Sequence, residues 1–161
     1  MAADWLQRLS RVVGEKRVWK ALGLYPPYLG AGVKVRDVSD DLLSITVEMR
    51  LRPWNRNYVG TQFGGSLYSM CDPFFMLMLI QALGPGYVVW DKSASIDFLK
   101  PGRGKVRAEL RVPAERLDAI RAEVAVKGKA LPVFEAVVIG EGGEEVARVK
   151  KVLHVRKKAG R

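Results

Sequence analysis

Histidine and cysteine are almost absent from this chain of 161 residues, which contains one of each, His154 and Cys71. A lone cysteine forms no internal disulfide, and a lone histidine supplies no multi-histidine metal site. Zinc fingers, disulfide scaffolds and c-type haem attachment sites are therefore excluded, and no metal or resident cofactor is expected. Cys71 is expected to be a small buried hydrophobe and His154 an ordinary strand residue.

Long hydrophobic runs are also lacking. The longest apolar stretch, residues 70–80, contains Asp72 and Pro73. A bilayer-spanning helix needs about 20 apolar residues, so this stretch is predicted to be a buried core element. No signal peptide is expected, because Asp4 and Arg8 interrupt the N-terminal apolar residues. A cytoplasmic location is therefore expected.

Acidic residues are outnumbered, with 17 Asp and Glu against 27 Lys and Arg, and the net charge is +10. This balance favours an anionic partner: a nucleic acid, an acidic membrane surface or a polyanionic small molecule. The sequence has no helix-turn-helix or stacking-aromatic motif, so nucleic acid is not an expected partner. Residues 4–22 are predicted to form a basic amphipathic helix that packs on the sheet, with membrane-surface binding as the alternative. The basic segment 148–161 is predicted to be a solvated edge strand and a frayed tail.

Apolar and polar residues alternate over most of the chain, which is typical of half-buried strands. Strands are predicted at residues 33–35, 43–49, 93–98, 105–112, 120–126, 133–139 and 146–155. Between the second and third strands, residues 66–83 are apolar nearly all round and are predicted to form one long helix. An antiparallel sheet with one dry face must cover that face, and this helix is the large apolar element that can do so.

The predicted architecture is therefore a single α+β domain, a curled antiparallel sheet around a central apolar helix. Its expected parts are an N-terminal helix at 4–22, a core at 30–156 and a basic tail at 157–161, within one domain over 1–161.

The loop before the central helix carries the most specific pattern. Residues 57–65 read NYVGTQFGG, and Asp72 follows Gly65 by seven positions. With the order of elements, this pattern resembles the hotdog-fold acyl-CoA thioesterases, most closely the phenylacetate-pathway-type branch and its uncharacterised relatives. The similarity covers roughly residues 30–156. The branch typically has His-Gly-Gly in this loop, whereas this chain has Phe63 at the histidine position.

The resemblance implies a hydrolase of thioesters. Asp72 would activate a water molecule or attack the carbonyl itself, and the backbone N–H of Gly65 would hold the developing oxyanion. Asn57 would orient the water or the thioester carbonyl. In the family this site lies across a dimer interface, so a homodimer or a tetramer of dimers is expected.

The residues permit this chemistry by themselves. Asp72 is the only charged residue in the apolar segment 66–83. Gly64 and Gly65 lack side chains, so a ligand can approach the main-chain donors near a helix start. A structural role is the alternative in each case, because Asp followed by Pro73 is a common helix start and Asn57 is a common turn residue.

Coenzyme A is a polyanion, so Lys100, Arg103 and Lys105 are predicted to contact its phosphates, and CoA is expected only as part of the substrate. Phe63 and Gly64 are further predicted substrate-binding residues. The leading hypothesis is hydrolysis of an acyl-CoA or related thioester. The alternatives are a non-catalytic hotdog protein that binds an acyl or aromatic ligand, which Phe63 keeps open, and a basic membrane-surface or nucleic-acid-binding protein.

Overall fold

The computed structural model describes residues 15–158. The chain starts there with helix α1 (Glu15–Ala21), a 3₁₀ turn (Leu22–Leu24) and helix α2 (Pro26–Ala31). The first part of the predicted helix 4–22 lies outside the described residues. Pro26 opens α2, a position where the missing N–H of proline costs nothing.

Seven strands form one antiparallel sheet, and this confirms the predicted α+β class and the curled sheet around an apolar helix. The strands are β1 (Val33–Val38), β2 (Ser44–Arg50), β3 (Tyr87–Phe98), β4 (Lys105–Arg111), β5 (Lys129–Ala130), β6 (Val133–Gly140) and β7 (Glu145–Lys157). Their order is β1-β2-β4-β6-β7-β3, and β5 pairs with β7 beside β6. β3 is therefore an edge strand of 12 residues.

The central apolar segment is interrupted, which the sequence analysis did not predict. It forms helix α3 (Gly64–Ser69), a turn at 70–73 and helix α4 (Phe74–Leu83). The interruption lies at Pro73, which has no N–H to donate within a continuous helix. The side chains that fill the inner face of the sheet are fully buried: Met70, Cys71, Phe74, Phe75, Met78 and Leu79.

The opposite face of the two central helices is open rather than enclosed by the fold. Tyr68, Met76 and Leu77 are half-buried there, and Ile80 is 40% exposed. By length and composition alone Gly64–Leu83 could cross a membrane, yet half of it is buried inside this fold as the core helix.

The predicted strand at 120–126 is wrong, because these residues lie in helix α5 (Ala114–Lys127). Leu117, Ile120 and Val124 are buried, at a spacing that matches one helix face, whereas Val126 is 84% exposed. Ile120 and Val124 are four residues apart, which fits a strand face and a helix face equally well. Leu117, three residues before Ile120, distinguishes the two periods.

The basic segment near the C terminus also differs from its prediction. β7 lies between β6 and β3, so it is an interior strand of the sheet and not a solvated edge. Val149, Leu153 and Val155 on its inner side are fully buried. Arg148 and Lys150 point to the outer side, which is exposed. The alternation along β7 therefore places Arg148 and Lys150 outside the core, whereas Lys151 lies in the inner row and is fully buried.

Helix α5 provides a test of this architecture. Ile120→Ala should lower the free energy of unfolding by about 2–5 kcal/mol, because a buried side chain is removed from the core. Val126→Ala should change it by no more than about 0.5 kcal/mol, because Val126 is exposed. Urea unfolding measures both values. A strand at 120–126 would place both side chains on one face, so similar losses for the two variants would contradict the helix.

Candidate functional site

A buried lysine lies beneath the turn between α3 and α4. The side chain of Lys151 is 0% exposed, and its Nζ donates to Asp72 Oδ1 at 2.6 Å. It also lies 3.1 Å from Asp91 Oδ2 and 3.1 Å from the hydroxyl oxygen of Tyr68. We call these four residues the Lys151 cluster. Their side-chain contacts connect β7, β3, helix α3 and the turn before α4.

Strand register explains why these side chains meet. Lys151 occupies the inward row of β7 between Val149 and Leu153, so its side chain enters the core side of the sheet. Asp91 pairs with Leu153 across the strands and therefore faces the same side. A register shift in β3 follows between Asp91 and Ser93, which leaves Lys92 outside the pairing.

The cluster contains two carboxylate groups, on Asp72 and Asp91, and one ammonium group, on Lys151. Burial alone would lower the pKa of Lys151, but hydrogen bonds with Asp72, Tyr68 and Asp91 outweigh it and raise this pKa above its ordinary value. Lys151 is therefore a cation at neutral pH. Burial, together with the hydrogen bond to Asp72, raises the pKa of Tyr68, so its phenol stays neutral.

Asp72 is the accessible member of the cluster. Its side chain is 43% exposed, against 29% for Asp91 and none for Lys151. The residue at the start of α4 is Pro73, and no side chain caps that helix. The helix-cap alternative for Asp72 is therefore not what the structure shows. Its carboxylate instead lies over the buried ammonium and remains open to solvent.

The loop before α3 is held by its own asparagine. Asn57 Nδ2 donates to Thr61 Oγ1 at 2.9 Å, and the Thr61 N–H donates to Asn57 Oδ1 at 2.9 Å. Nδ2 also lies 3.3 Å from the carbonyl oxygen of Gln62. Both ends of the amide thus form hydrogen bonds within the loop, which is the turn role.

Two aromatic rings cover the glycine pair. A Cβ on Gly65 would lie 2.5 Å from Phe63 Cε1, and a Cβ on Gly64 would lie 2.8 Å from Phe98 Cζ. Side chains at these positions would have to displace the rings, which are both more than half exposed. A cavity of about 390 Å³ adjoins the pair and is lined partly by Phe63, Gly65 and Trp54.

Gly65 and Asp72 lie in two successive local elements. Gly65 is in the first turn of α3, and Asp72 lies seven residues later in the turn at 70–73 that precedes α4.

The predicted phosphate-binding residues are dispersed around the β3–β4 connection. Lys100 and Arg103 are exposed, whereas Lys105 opens β4 and lies 3.8 Å from Glu48 Oε1. Glu48 also accepts a hydrogen bond from Arg36 at 2.5 Å. Lys105 therefore belongs to a second, larger cavity on the other side of the sheet.

The sequence analysis missed Lys151, Asp91 and Tyr68. A signal for Lys151 was available, because it interrupts the alternating apolar row that continues to Leu153. It was assigned instead to a solvated basic segment. No comparable signal marks Asp91, since its position depends on the strand pairing and on the irregularity beside it.

The lone cysteine and histidine have packing roles. Cys71 is fully buried, and burial raises its pKa to about 12. His154 stacks on Trp90 with ring centroids 4.0 Å apart, and burial together with nearby cations lowers its pKa. Within residues 15–158 no group of three or more His, Cys, Asp or Glu side chains is placed to hold a metal ion.

Solved structures with this architecture come from several bacteria. A protein from Pseudomonas aeruginosa described as a probable thioesterase matches with a TM-score of 0.76 at 20% identity, covering 88% of this chain and 95% of that one. A protein of unknown function from Chlorobaculum tepidum matches with a TM-score of 0.71 at 18% identity, over 88% and 94% of the two chains. A thioesterase from Haemophilus influenzae matches with a TM-score of 0.64 at 14% identity, over 88% and 90%. No curated protein matches the sequence.

A family model matches residues 14–155 and carries the description "Domain of unknown function (DUF4442)". It covers the whole sheet except the last two residues of β7. It also includes the Lys151 cluster and the loop 57–65 with Gly64 and Gly65, which we call the glycine loop. The chain therefore belongs to the DUF4442 family and has the hotdog fold.

Proposed function

We propose that this protein hydrolyses the thioester bond of an acyl-CoA or a related acyl thioester. The observation that carries the proposal is Asp72, an accessible carboxylate held at 2.6 Å by a fully buried ammonium. A carboxylate fixed in this way is suited to proton transfer, because its position does not depend on a mobile partner. The thioesterase descriptions of two structural neighbours agree with this chemistry.

In the general-base route, Asp72 takes a proton from a water molecule that attacks the thioester carbonyl carbon. The oxyanion that develops accepts a hydrogen bond from the Gly65 N–H in the first turn of α3. Collapse of the tetrahedral intermediate breaks the carbon–sulfur bond, and the thiolate leaves and takes up a proton. In the nucleophile route, Asp72 attacks the carbonyl carbon, the carbon–sulfur bond breaks and the thiolate leaves and takes up a proton. Water then hydrolyses the mixed anhydride to the acid and restores the Asp72 carboxylate.

The position of β3 at the edge of the sheet leads us to propose a homodimer or a tetramer of dimers. The edge strand β3 has 12 residues and exposes Trp90 and Phe98. An unprotected edge of this length favours pairing with another strand, and a second copy of β3 supplies one. Pairing of this kind also covers the open face of α4, where Ile80 is exposed. The glycine loop of one subunit then acts with Asp72 of the other.

A polyanionic thioester such as acyl-CoA suits the net charge of +10. Lys100 and Arg103 are exposed near Phe98, whose ring covers Gly64, and they can meet phosphates outside the reacting centre. The second candidate function is binding of an acyl or aromatic ligand without hydrolysis. The ring of Phe63 against Gly65 favours it, because this ring occupies the place where the thioester would approach.

Asp72→Asn tests the catalytic role of Asp72. Asparagine retains the shape and a hydrogen bond toward Lys151 but cannot accept a proton, so kcat should fall by about 10²–10⁴-fold. The measurement is thiol release from a panel of acyl-CoA substrates. Asp118→Asn, at an exposed position on α5, is the matched control and should retain full activity. Wild-type turnover by Asp72→Asn would contradict the role of Asp72, and no turnover of any thioester by the unaltered protein would leave ligand binding as the function.

The shared site predicts complementation between two inactive variants. Gly65→Pro removes the oxyanion donor in the first turn of α3 and should cost about 10²–10³-fold in kcat. Its ring has to displace the exposed ring of Phe63, so thermal unfolding verifies that the variant is folded. After co-refolding with Asp72→Asn, the heterodimers should each have one intact site, and activity should recover to about a quarter of wild type. If both residues served the same chain, each site would keep one defect, and the mixture would be as inactive as its components.

Lys151→Met tests the role of the buried ammonium in positioning Asp72. Two carboxylates then lose their counter-charge, so the free energy of unfolding should fall by about 1–3 kcal/mol. kcat should fall while KM changes little, because Asp72 is no longer held in place. Lys150→Met, on the exposed side of the same strand, should alter neither quantity.

The pH dependence of this stabilisation has a defined sign. The folded pKa of Lys151 lies above its unfolded value of about 10.4, so the stabilisation is fully present below that pH and is lost as pH rises through the folded pKa. The stability difference between wild type and Lys151→Met should therefore be constant from pH 7 to about pH 10 and should shrink above it. A difference that grows in alkali would contradict the cationic assignment.

A further inference from the structure

The largest cavity described lies on the outer side of β1 and β2, away from the Lys151 cluster. Its volume is about 880 Å³, within the range of about 300–1,000 Å³ that small-molecule sites usually have. The segment from α1 to α2 forms one wall and lies close to β1, since a Cβ added at Gly23 would be 3.7 Å from Lys34 Cα. The lining residues include no member of the Lys151 cluster and neither Gly64 nor Gly65.

Basic side chains dominate this cavity. Six of them line it: Lys20, Lys34, Arg36, Arg50, Arg52 and Lys105. The one acidic residue among the lining residues is Glu48, which already bridges Arg36 at 2.5 Å and Lys105 at 3.8 Å. This excess of positive charge attracts an anion. Each of the three guanidinium groups can donate two parallel hydrogen bonds to phosphate oxygens, whereas each lysine contributes a point charge.

Apolar side chains at the same cavity are unusually exposed. Leu24 is 70% exposed, Leu29 is 56% exposed and Trp54 is 68% exposed. Exposed apolar side chains grouped at one cavity mark a surface that an apolar ligand can cover. The cavity therefore combines basic side chains on the strands with apolar side chains on the N-terminal segment and at Trp54.

We propose that this cavity binds a single-chain amphiphile with a phosphate head group. The phosphate binds the cations on β1 and β2, around Lys34 and Arg50, and the chain covers Leu24, Leu29 and Trp54. Inorganic phosphate can contact only the basic side chains, and a neutral or zwitterionic lipid can contact only the exposed apolar side chains. The site requires both chemistries in one ligand, and it is separate from the proposed hydrolysis of thioesters.

Isothermal titration calorimetry with dodecyl phosphate, below its critical micelle concentration, tests the proposal on the full chain. Dodecyl phosphate should bind at least about tenfold more tightly than dodecylphosphocholine, which has the same chain, and than inorganic phosphate, which has none. The affinity should fall as salt rises, because exposed cations are screened.

Two double variants separate the head-group and chain contributions. Lys34→Gln with Arg50→Gln should weaken dodecyl phosphate binding by about tenfold or more, and Leu24→Gln with Leu29→Gln should do the same. These side chains are exposed, so the fold should be retained, and thermal unfolding verifies this. Arg116→Gln with Lys129→Gln removes the same charge from exposed positions outside the cavity and should leave binding unchanged.

The proposal is overturned if inorganic phosphate or adenosine 3′,5′-bisphosphate binds as tightly as dodecyl phosphate, since the site would then serve phosphate or a nucleotide alone. It is also overturned if dodecylphosphocholine binds equally well, or if the Lys34 and Arg50 variant retains full affinity. All these readouts are binding constants. A failed thioesterase assay therefore leaves this test intact, and failure here leaves the proposed hydrolysis untouched.

Discussion

The contact between Lys151 and Asp72 is the interaction on which the rest of the site depends. Placing an ammonium in a protein core costs several kcal/mol, and the cost is offset only when charged and polar partners surround it. Asp72, Asp91 and Tyr68 supply those partners from three different elements. The fold therefore cannot bury Lys151 without also bringing the helix turn, β3 and β7 together, and this holds Asp72 at a defined place at the surface.

The interruption of the central helix has a second consequence. Pro73 follows Asp72 directly and interrupts the helix, so Asp72 lies in a turn where its carboxylate is exposed to solvent. The face of α4 that carries Ile80 is also exposed. Phe98 lies at the end of the edge strand β3, and its ring packs against Gly64. Within the described residues, a single chain thus presents an accessible carboxylate, the glycine pair and the edge of β3.

The two sides of the sheet differ in charge. On the inner side, one buried cation is shared by two carboxylates, and the polar groups are concentrated at one point in an apolar core. On the outer side, six basic side chains line the cavity, and Glu48 is the one acid among its lining residues. The positive charge is therefore not spread evenly over the surface. The basic side chains grouped beside exposed Leu24 and Trp54 distinguish this cavity from an ordinary solvated face.

The sequence by itself determined the α+β class and most of the strands, because period-two alternation and an all-apolar segment are local patterns. It also singled out Asp72, as the one charged residue of segment 66–83 and through the resemblance in its spacing from Gly65. Helix α5 was missed because the spacing of Ile120 and Val124 satisfies both periods. The burial of Lys151 and the approach of Asp91 were decided only by tertiary structure. Whether a basic residue in a strand is solvated or buried depends on which strands flank it, and strand order arises from long-range pairing that no local pattern encodes.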